Sequence, residues 1–389
     1  MLLILLGLAQ ATPLSPDAAV AAALSSNPDL ARAEAELNAA RGAARQSVLF
    51  RENPEIQAGY GLVGGRLDLS LGQSLSLTGE GLADHQSQRA RVRASEAALD
   101  RVRLEVAAHT RSAYVEAVVA RELRVLAEQF FALASRQLEA TESRVRAGEA
   151  SDLNLRLARL EQVKAAQGLL QARNDEAVAL ATLATLVQRP ITGEDLAVDP
   201  LDAAPEPQPA GDDERSDVQA ARLALEAAEA AIRREQAAAL PPVTLGAFFE
   251  EEGGSVLAGP SLSLTLPLWH QNQAGIADAR ATETVARSEL DLRIARAAAE
   301  QKTATHAHSE AVSTLALVPA TADDAKAALA SIDAGLRSGE LDLVTTILLR
   351  AEVISGQQAM AQARGDLAVS RLFLLLATED TALLDGSSP

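Results

Sequence analysis

Leu67-Asp-Leu-Ser-Leu-Gly-Gln-Ser-Leu-Ser-Leu-Thr78 sets Leu67, Leu69, Leu71, Leu75 and Leu77 against Asp68, Ser70, Ser74, Ser76 and Thr78. Strict alternation over about ten residues predicts a β-strand with one apolar and one polar face. The pentapeptide Ser-Leu-Ser-Leu-Thr at 74–78 returns at 261–265, with Gly72 and Gly259 two positions ahead of the copies. There Val256, Ala258, Leu262, Leu264, Leu266 and Leu268 alternate with Ser261, Ser263 and Thr265. Weaker strands precede both, near 55–63 and 243–250, and end in Tyr60, Phe248 and Phe249. Aromatic residues at strand ends suit a membrane interface. Gly64-Gly65 and Gly253-Gly254 read as hairpin turns.

An isolated pattern of this kind is most simply a half-buried hairpin lying on helices. Length and edges argue otherwise. Strands near 67–78 and 256–268 are about long enough to cross a bilayer at a tilt. Four strands cannot close a barrel, so one chain would leave open edges. Twelve strands from three chains would close it, as a membrane requires. The leucines then suit lipid, and the serines suit a wet lumen.

The strands belong to a unit written twice. Asn27-Pro28-Asp29-Leu30 aligns with Arg215-Ser216-Asp217-Val218; on the same offset Pro54 meets Pro242 and Tyr60 meets Phe248. Arg146-Ala147-Gly148-Glu149 matches Arg337-Ser338-Gly339-Glu340, and Arg159/Arg350 and Glu161/Glu352 follow at equal distances. Each copy predicts a helix (27–50; 214–239), two strands, a long helical stretch (82–146; 275–337), a glycine turn, and a last helix (152–188; 342–376). A short helix near 16–25 comes first, opened by Ser15-Pro16-Asp17. The stretch 82–146 would be roughly 100 Å of helix, long enough for two shorter helices to lie end to end beside it. This divides the chain into a first repeat over 12–190, a second over 215–380 and a tail over 381–389. The proline-rich segment 191–214, with Pro200, Pro205, Pro207 and Pro209, is a linker.

Composition agrees with long helices. Hydrophobic residues make up 48% but aromatics only 2%, so the apolar content is mostly Ala, Leu and Val. Such thin seams differ from an enzyme core built on bulky aromatics. A net charge of −18 argues against nucleic acid as a partner. The absence of cysteine excludes disulfides and thiolate metal sites. Met1 to Leu8 is apolar and Ala9-Gln10-Ala11 follows, which reads as a secretory signal over 1–11.

Together these residues resemble the TolC-like outer-membrane efflux family across nearly the whole mature chain. The opening Leu14-Ser-Pro-Asp-Ala-Ala-Val-Ala-Ala-Ala-Leu24, Asn27-Pro28-Asp29-Leu30, its echo at 216–218 and both Ser-Leu-Ser-Leu-Thr strands carry the likeness. Leu266-Pro-Leu-Trp-His-Gln-Asn-Gln-Ala-Gly-Ile-Ala-Asp-Ala-Arg280 is similar to the family's strand-to-helix junction. Its Asn272-Gln273, Gly275 and Ala279 are similar to the heavy-metal (cobalt–zinc–cadmium type) branch.

The resemblance implies a mainly α fold with a small β part, built as two tandem repeats of helix–strand–strand–long helix–helix. It implies a homotrimer whose α-helical barrel continues into a twelve-stranded transmembrane β-barrel, four strands per chain. The location implied is the outer membrane, with the helical part in the periplasm. The function implied is a passive efflux duct, serving heavy-metal cations if the branch likeness holds. Its partners would be outer-membrane lipid, a periplasmic adaptor and an inner-membrane pump of the resistance-nodulation-division type. No enzyme activity, cofactor or bound metal is implied.

Two hairpin tips would face the adaptor: Arg144, Arg146, Gly148 and Glu149 in the first repeat, Arg337, Gly339 and Glu340 in the second. Gly148 and Gly339 supply the positive φ that a reversing helix needs. The arginines equally suit capping of helix C-termini. Asp152 and Asp342 are plausible N-caps, and in a trimer would form acidic rings at a periplasmic constriction. The family's gate acids sit slightly further into the last helix, where this chain has Thr345 and Leu348. The lipid-facing set is Leu67, Leu69, Leu71, Leu75, Leu77, Leu262, Leu264 and Leu266.

Other candidates carry less. His306 and His308 diverge on a helix and cannot chelate one ion well. Trp269 and His270 suit an interfacial role, and Glu250-Glu251-Glu252 suits a solvated hairpin tip. The rival readings are a periplasmic adaptor, which lacks the second hairpin, and a structural coiled-coil protein without a pore, which leaves the alternating strands unexplained.

Overall fold

The computed structural model describes residues 13–45, 53–61, 66–75, 78–196, 215–240, 243–264, 267–317 and 322–384. The signal segment 1–11, most of the linker, the Gly64-Gly65 turn, Leu77, Leu266 and 385–389 lie outside them. Eight helices and four strands follow in order among the described residues: α1 (Pro16–Ser26), α2 (Pro28–Ala43), β1 (Glu55–Gly61), β2 (Arg66–Leu75), α3 (Glu80–Arg146), α4 (Asp152–Val187), α5 (Ser216–Ala238), β3 (Val243–Glu252), β4 (Ser255–Leu264), α6 (Gln273–Leu317), α7 (Ala322–Ser338) and α8 (Leu343–Thr378). Two repeats are plain in that order, α2-β1-β2-α3-α4 and α5-β3-β4-α6-α7-α8.

Of the helical stretch expected over 275–337, the described residues show α6 up to Leu317 and α7 from Ala322, and 318–321 lie outside them. In the first repeat α3 runs unbroken for 67 residues. Among the described residues β2 reaches Leu75 and β4 reaches Leu264, and 76–77 and 265–266 lie outside them.

The chain forms two compact bodies, one from 1–28, 103–211 and 299–389, the other from 29–102 and 212–298. In the first, a core gathers around the middle of α3. Tyr114, Leu183, Leu372, Leu375 and Leu383 are fully buried there. Polar bonds fasten extended segments to it. The Tyr114 hydroxyl donates to the Leu14 carbonyl at 2.7 Å, and Leu14 bridges Leu196 in parallel. Arg111, only 4% exposed, donates to the Leu383 carbonyl at 3.1 Å and pairs with Asp17 at 2.7 Å. A buried cation needs such partners, because desolvation without them is costly. Farther along, Arg124 joins Glu128 (2.8 Å) and Glu176 (2.6 Å), and so ties α3 to α4.

In the second body, α2 and α5 lie on the opening turns of α3. Arg41 meets Glu96 at 2.8 Å, Arg93 meets Glu226 at 2.9 Å, and the Ser87 hydroxyl donates to the Ala227 carbonyl. The strands form one antiparallel sheet in the order β1-β2-β3-β4. The pairing of β2 with β3 joins the two repeats, Leu67 facing Glu251 and Leu75 facing Val243.

Candidate functional site

Opposed residues of antiparallel strands share a face, so the register sorts every strand residue. One face carries Ile56, Ala58, Tyr60, Leu67, Leu69, Leu71, Leu75, Val243, Leu245, Ala247, Phe249, Val256, Leu262 and Leu264, with Gln73 and Glu251 as its polar members. The other carries Asp68, Ser70, Ser74, Thr244, Glu250, Ser261, Ser263 and several glycines. The leucines are not tucked under the chain's own helices: Leu262 is 71% exposed and Ile56 71%. On β2 and β3 the polar face is the more crowded one. Asp68, Ser70, Thr244 and Gly246 are half-buried, whereas Leu67, Leu69, Leu71 and Leu245 are exposed. On these two strands the polar face is thus the less exposed of the two.

Two glycines sit closely packed on that face. Gly72 and Gly246 are directly opposed on the polar face. A Cβ at Gly246 would run into the Leu71 carbonyl oxygen and stand 2.7 Å from Ser261 Oγ. The β3–β4 turn is Gly253-Gly254, both at positive φ (58° and 85°), the geometry of a tight two-residue hairpin. Arg66 pairs on the polar face with Asp68 (2.8 Å) and Glu250 (3.2 Å).

The junction after β4 has a specific cause. Asn272 stands at φ 55° and its amide donates to the Glu235 carbonyl (3.0 Å) and carboxylate (2.6 Å) at the end of α5. Gly275 is required beside it, since a Cβ there would lie 2.5 Å from Asn272 Oδ1 and 2.7 Å from Glu235 Oε2. Arg234 completes the group through Asp84 at 3.3 Å and through Glu235. Trp269 is 80% exposed just before this junction.

The expected tips are found at the ends of α3 and α7. Gly148 and Gly339 take φ of 76° and 80°. The Glu149 amide donates to the Arg144 carbonyl at 2.8 Å, and the Glu340 amide to the Gly335 carbonyl at 3.0 Å. Arg146 and Arg337 donate to carbonyls of their own last turns, at 3.3 Å each, so both arginines cap helix ends. The caps of the returning helices differ. Asp342 caps α8, accepting from the Thr345 amide at 2.9 Å, and those bonds hold its carboxyl below the usual range. Asp152 is not a cap. Ser151 takes that place, accepting from the Asn154 amide, and Asp152 pairs with Arg156 at 2.8 Å instead. A serine one residue earlier competes well because its short hydroxyl reaches the free amides directly.

The tips are brought together in one body. Arg144, Asn154, Gly339 and Asp342 line one cleft of about 260 Å³. Arg146, Glu149, Arg337, Glu340, Asp152 and Thr345 are exposed and do not line it. Behind the cleft is a group that sequence reasoning did not single out. Arg350 of α8, 5% exposed, donates to Gln137 of α3 at 3.2 Å and pairs with Asp333 of α7. Glu161 of α4, 7% exposed, feels the Arg350 charge. Burial pushes the Glu161 carboxyl above its ordinary range, and the Arg350 charge opposes that shift. The repeat contained the signal. Arg159 and Arg350 correspond, as do Glu161 and Glu352, yet only Arg350 and Glu161 are buried; Arg159 is exposed on its pair with Glu142.

Among the described residues no three His, Asp or Glu side chains converge as metal ligands, and no helix is long and apolar enough to cross a membrane.

The sequence profile described as outer membrane efflux protein matches residues 19–188 and 212–378, once on each repeat. No curated protein matches the chain by sequence. Solved structures match its fold over most of both chains. A membrane protein from Pseudomonas aeruginosa is 20% identical with a TM-score of 0.78, covering 93% of this chain and 92% of its own. CusC, described through its folding and transmembrane channel formation, is 17% identical with a TM-score of 0.73, covering 93% and 91%. The open state of the Neisseria gonorrhoeae MtrE outer membrane channel is 23% identical with a TM-score of 0.72, covering 93% and 88%.

Proposed function

We propose, from the fact that this chain belongs to the outer membrane efflux protein family, that three copies close one channel through the outer membrane. The carrying observation is the sheet: a leucine face exposed to its surroundings, a polar face less exposed on β2 and β3, and two strands, β1 and β4, each paired on one side only among the described residues. A lone open sheet of this kind is unstable in lipid, and β4 joining β1 of the next copy removes every edge. The polar face then lines water.

The helical body is the periplasmic part, and its tips are the docking surface for an adaptor protein and an inner-membrane pump of the resistance-nodulation-division type. Gly148, Gly339 and the capping arginines give a rigid, defined end for that contact. Asp342 and Asp152 place three copies each of two acids at the narrow end, which favours cations. Heavy-metal cations are one cargo class, supported by the Asn272–Gly275 junction. No bond is made or broken by this chain; it conducts. Membrane fractionation with light scattering of the solubilised protein tests the assembly. A trimer in the outer membrane is expected, and a detergent-independent monomer would overturn the reading. Growth of a deletion strain under zinc, cobalt, copper and drug challenge identifies the cargo.

A further inference from the structure

The polar face of the sheet carries two large apolar side chains among its described residues, Phe248 and Leu257. Phe248 opposes Ser70 on one side and Gly259 on the other. Its ring covers Gly259 on that face: a Cβ at Gly259 would meet Phe248 Cε1 at 3.5 Å and Cζ at 3.6 Å. Leu257 opposes Glu250, which puts it diagonally next to Phe248, within side-chain reach. The repeat offers no excuse for this phenylalanine. Aligned by faces, Tyr60 corresponds to Phe249, both on the leucine face, and not to Phe248 as the sequence offset suggests. The face equivalent of Phe248 in the first hairpin is Gly59, which has no side chain at all. An aromatic on the wet side of a strand is not needed for lipid contact, and directly opposite it in its own hairpin stands only a glycine.

The carboxylates at this end set the second half of the chemistry. Asp68, Glu250 and Glu252 stand on the same face, against one cation among the described residues there, Arg66. The wall around Phe248 is therefore negative as well as locally apolar. A flat hydrophobic ring beside net negative charge suits a cation that has an aryl or alkyl body, through both apolar contact and attraction to the ring face.

We propose that Phe248 and Leu257, repeated three times round the lumen, form an apolar contact station for amphipathic organic cations leaving through the duct. The inference rests on the channel reading above and extends its cargo beyond bare metal ions. The native chain has no cysteine, so single cysteines report cleanly. Phe248→Cys, Leu257→Cys and Phe249→Cys trimers in lipid vesicles are treated with a charged, membrane-impermeant thiol reagent. Phe248→Cys and Leu257→Cys are expected to react, and Phe249→Cys, on the lipid side, to resist. Tetraphenylphosphonium is then added to the Leu257→Cys trimer, in which Phe248 is intact. It is expected to slow labelling about fivefold, the scale of one such aromatic contact, while tetramethylammonium at equal concentration leaves the rate unchanged. The protection should vanish in Leu257→Cys carrying Phe248→Ser. Equal slowing by both cations, undiminished protection after Phe248→Ser, or preferential labelling of Phe249→Cys would overturn the proposal. Failure of the unsubstituted chain to assemble as a trimer would instead count against the channel.

Discussion

Ser151 and Asp152 show how much one position matters at a helix start. The serine accepts from the Asn154 amide, so Ser151→Ala is expected to cost about 1 kcal/mol of stability, whereas Asp152→Ala, which loses only an exposed ion pair, costs a small fraction of that. Paired chemical-denaturation midpoints of the two variants check the order. Gly148→Ala is a different case. Nothing crowds its Cβ position, so the cost is the positive φ alone, about 1 kcal/mol. Glu161 gives the pH dependence. Its carboxyl is raised above the unfolded value, so the folded state holds the proton more tightly. Its contribution is therefore most favourable below the ordinary carboxylate range and weakens as pH rises through the raised value. Glu161→Gln mimics the protonated form. Its stability advantage over the parent should be absent in acid and emerge toward neutral pH, read as the difference in melting temperature. A variant less stable than the parent at neutral pH would mean the Arg350 attraction outweighs burial.

At the scale of elements, the sheet's two faces make opposite demands. Leu262→Lys places a charge on the leucine face, and a lysine near the bilayer midplane costs roughly 2–4 kcal/mol. Ser261→Lys, one residue away and on the polar face, should leave assembly intact. The yield of heat-resistant trimer in outer-membrane fractions distinguishes them. This sidedness was legible in the sequence because strand alternation is a local property, and so were the glycine reversals at Gly148 and Gly339. What escaped was not local. The pairing of β2 with β3 depends on residues far apart in the chain. Arg350 and Glu161 looked like their repeat counterparts Arg159 and Glu352, and only three-dimensional packing makes one member of each pair buried. Tyr60 was matched to Phe248 because a one-residue slip costs nothing in an alignment, though it reverses the face in a strand.

The whole molecule divides its work between two bodies. One carries the sheet and the Asn272–Glu235 junction. The other carries a core around α3 and the paired tips, with Arg350 joining α3, α7 and α8 behind the cleft. Both belong to a chain of the outer membrane efflux protein family. The central claim is that three such chains enclose a continuous aqueous path whose narrow end is at the tips. Single-channel recording of the purified protein in planar bilayers tests it most directly. Discrete conductance steps are expected, small for the native chain and larger when Arg337 and Asp342 are both replaced by alanine. A protein that inserts yet passes no current in either form would contradict it.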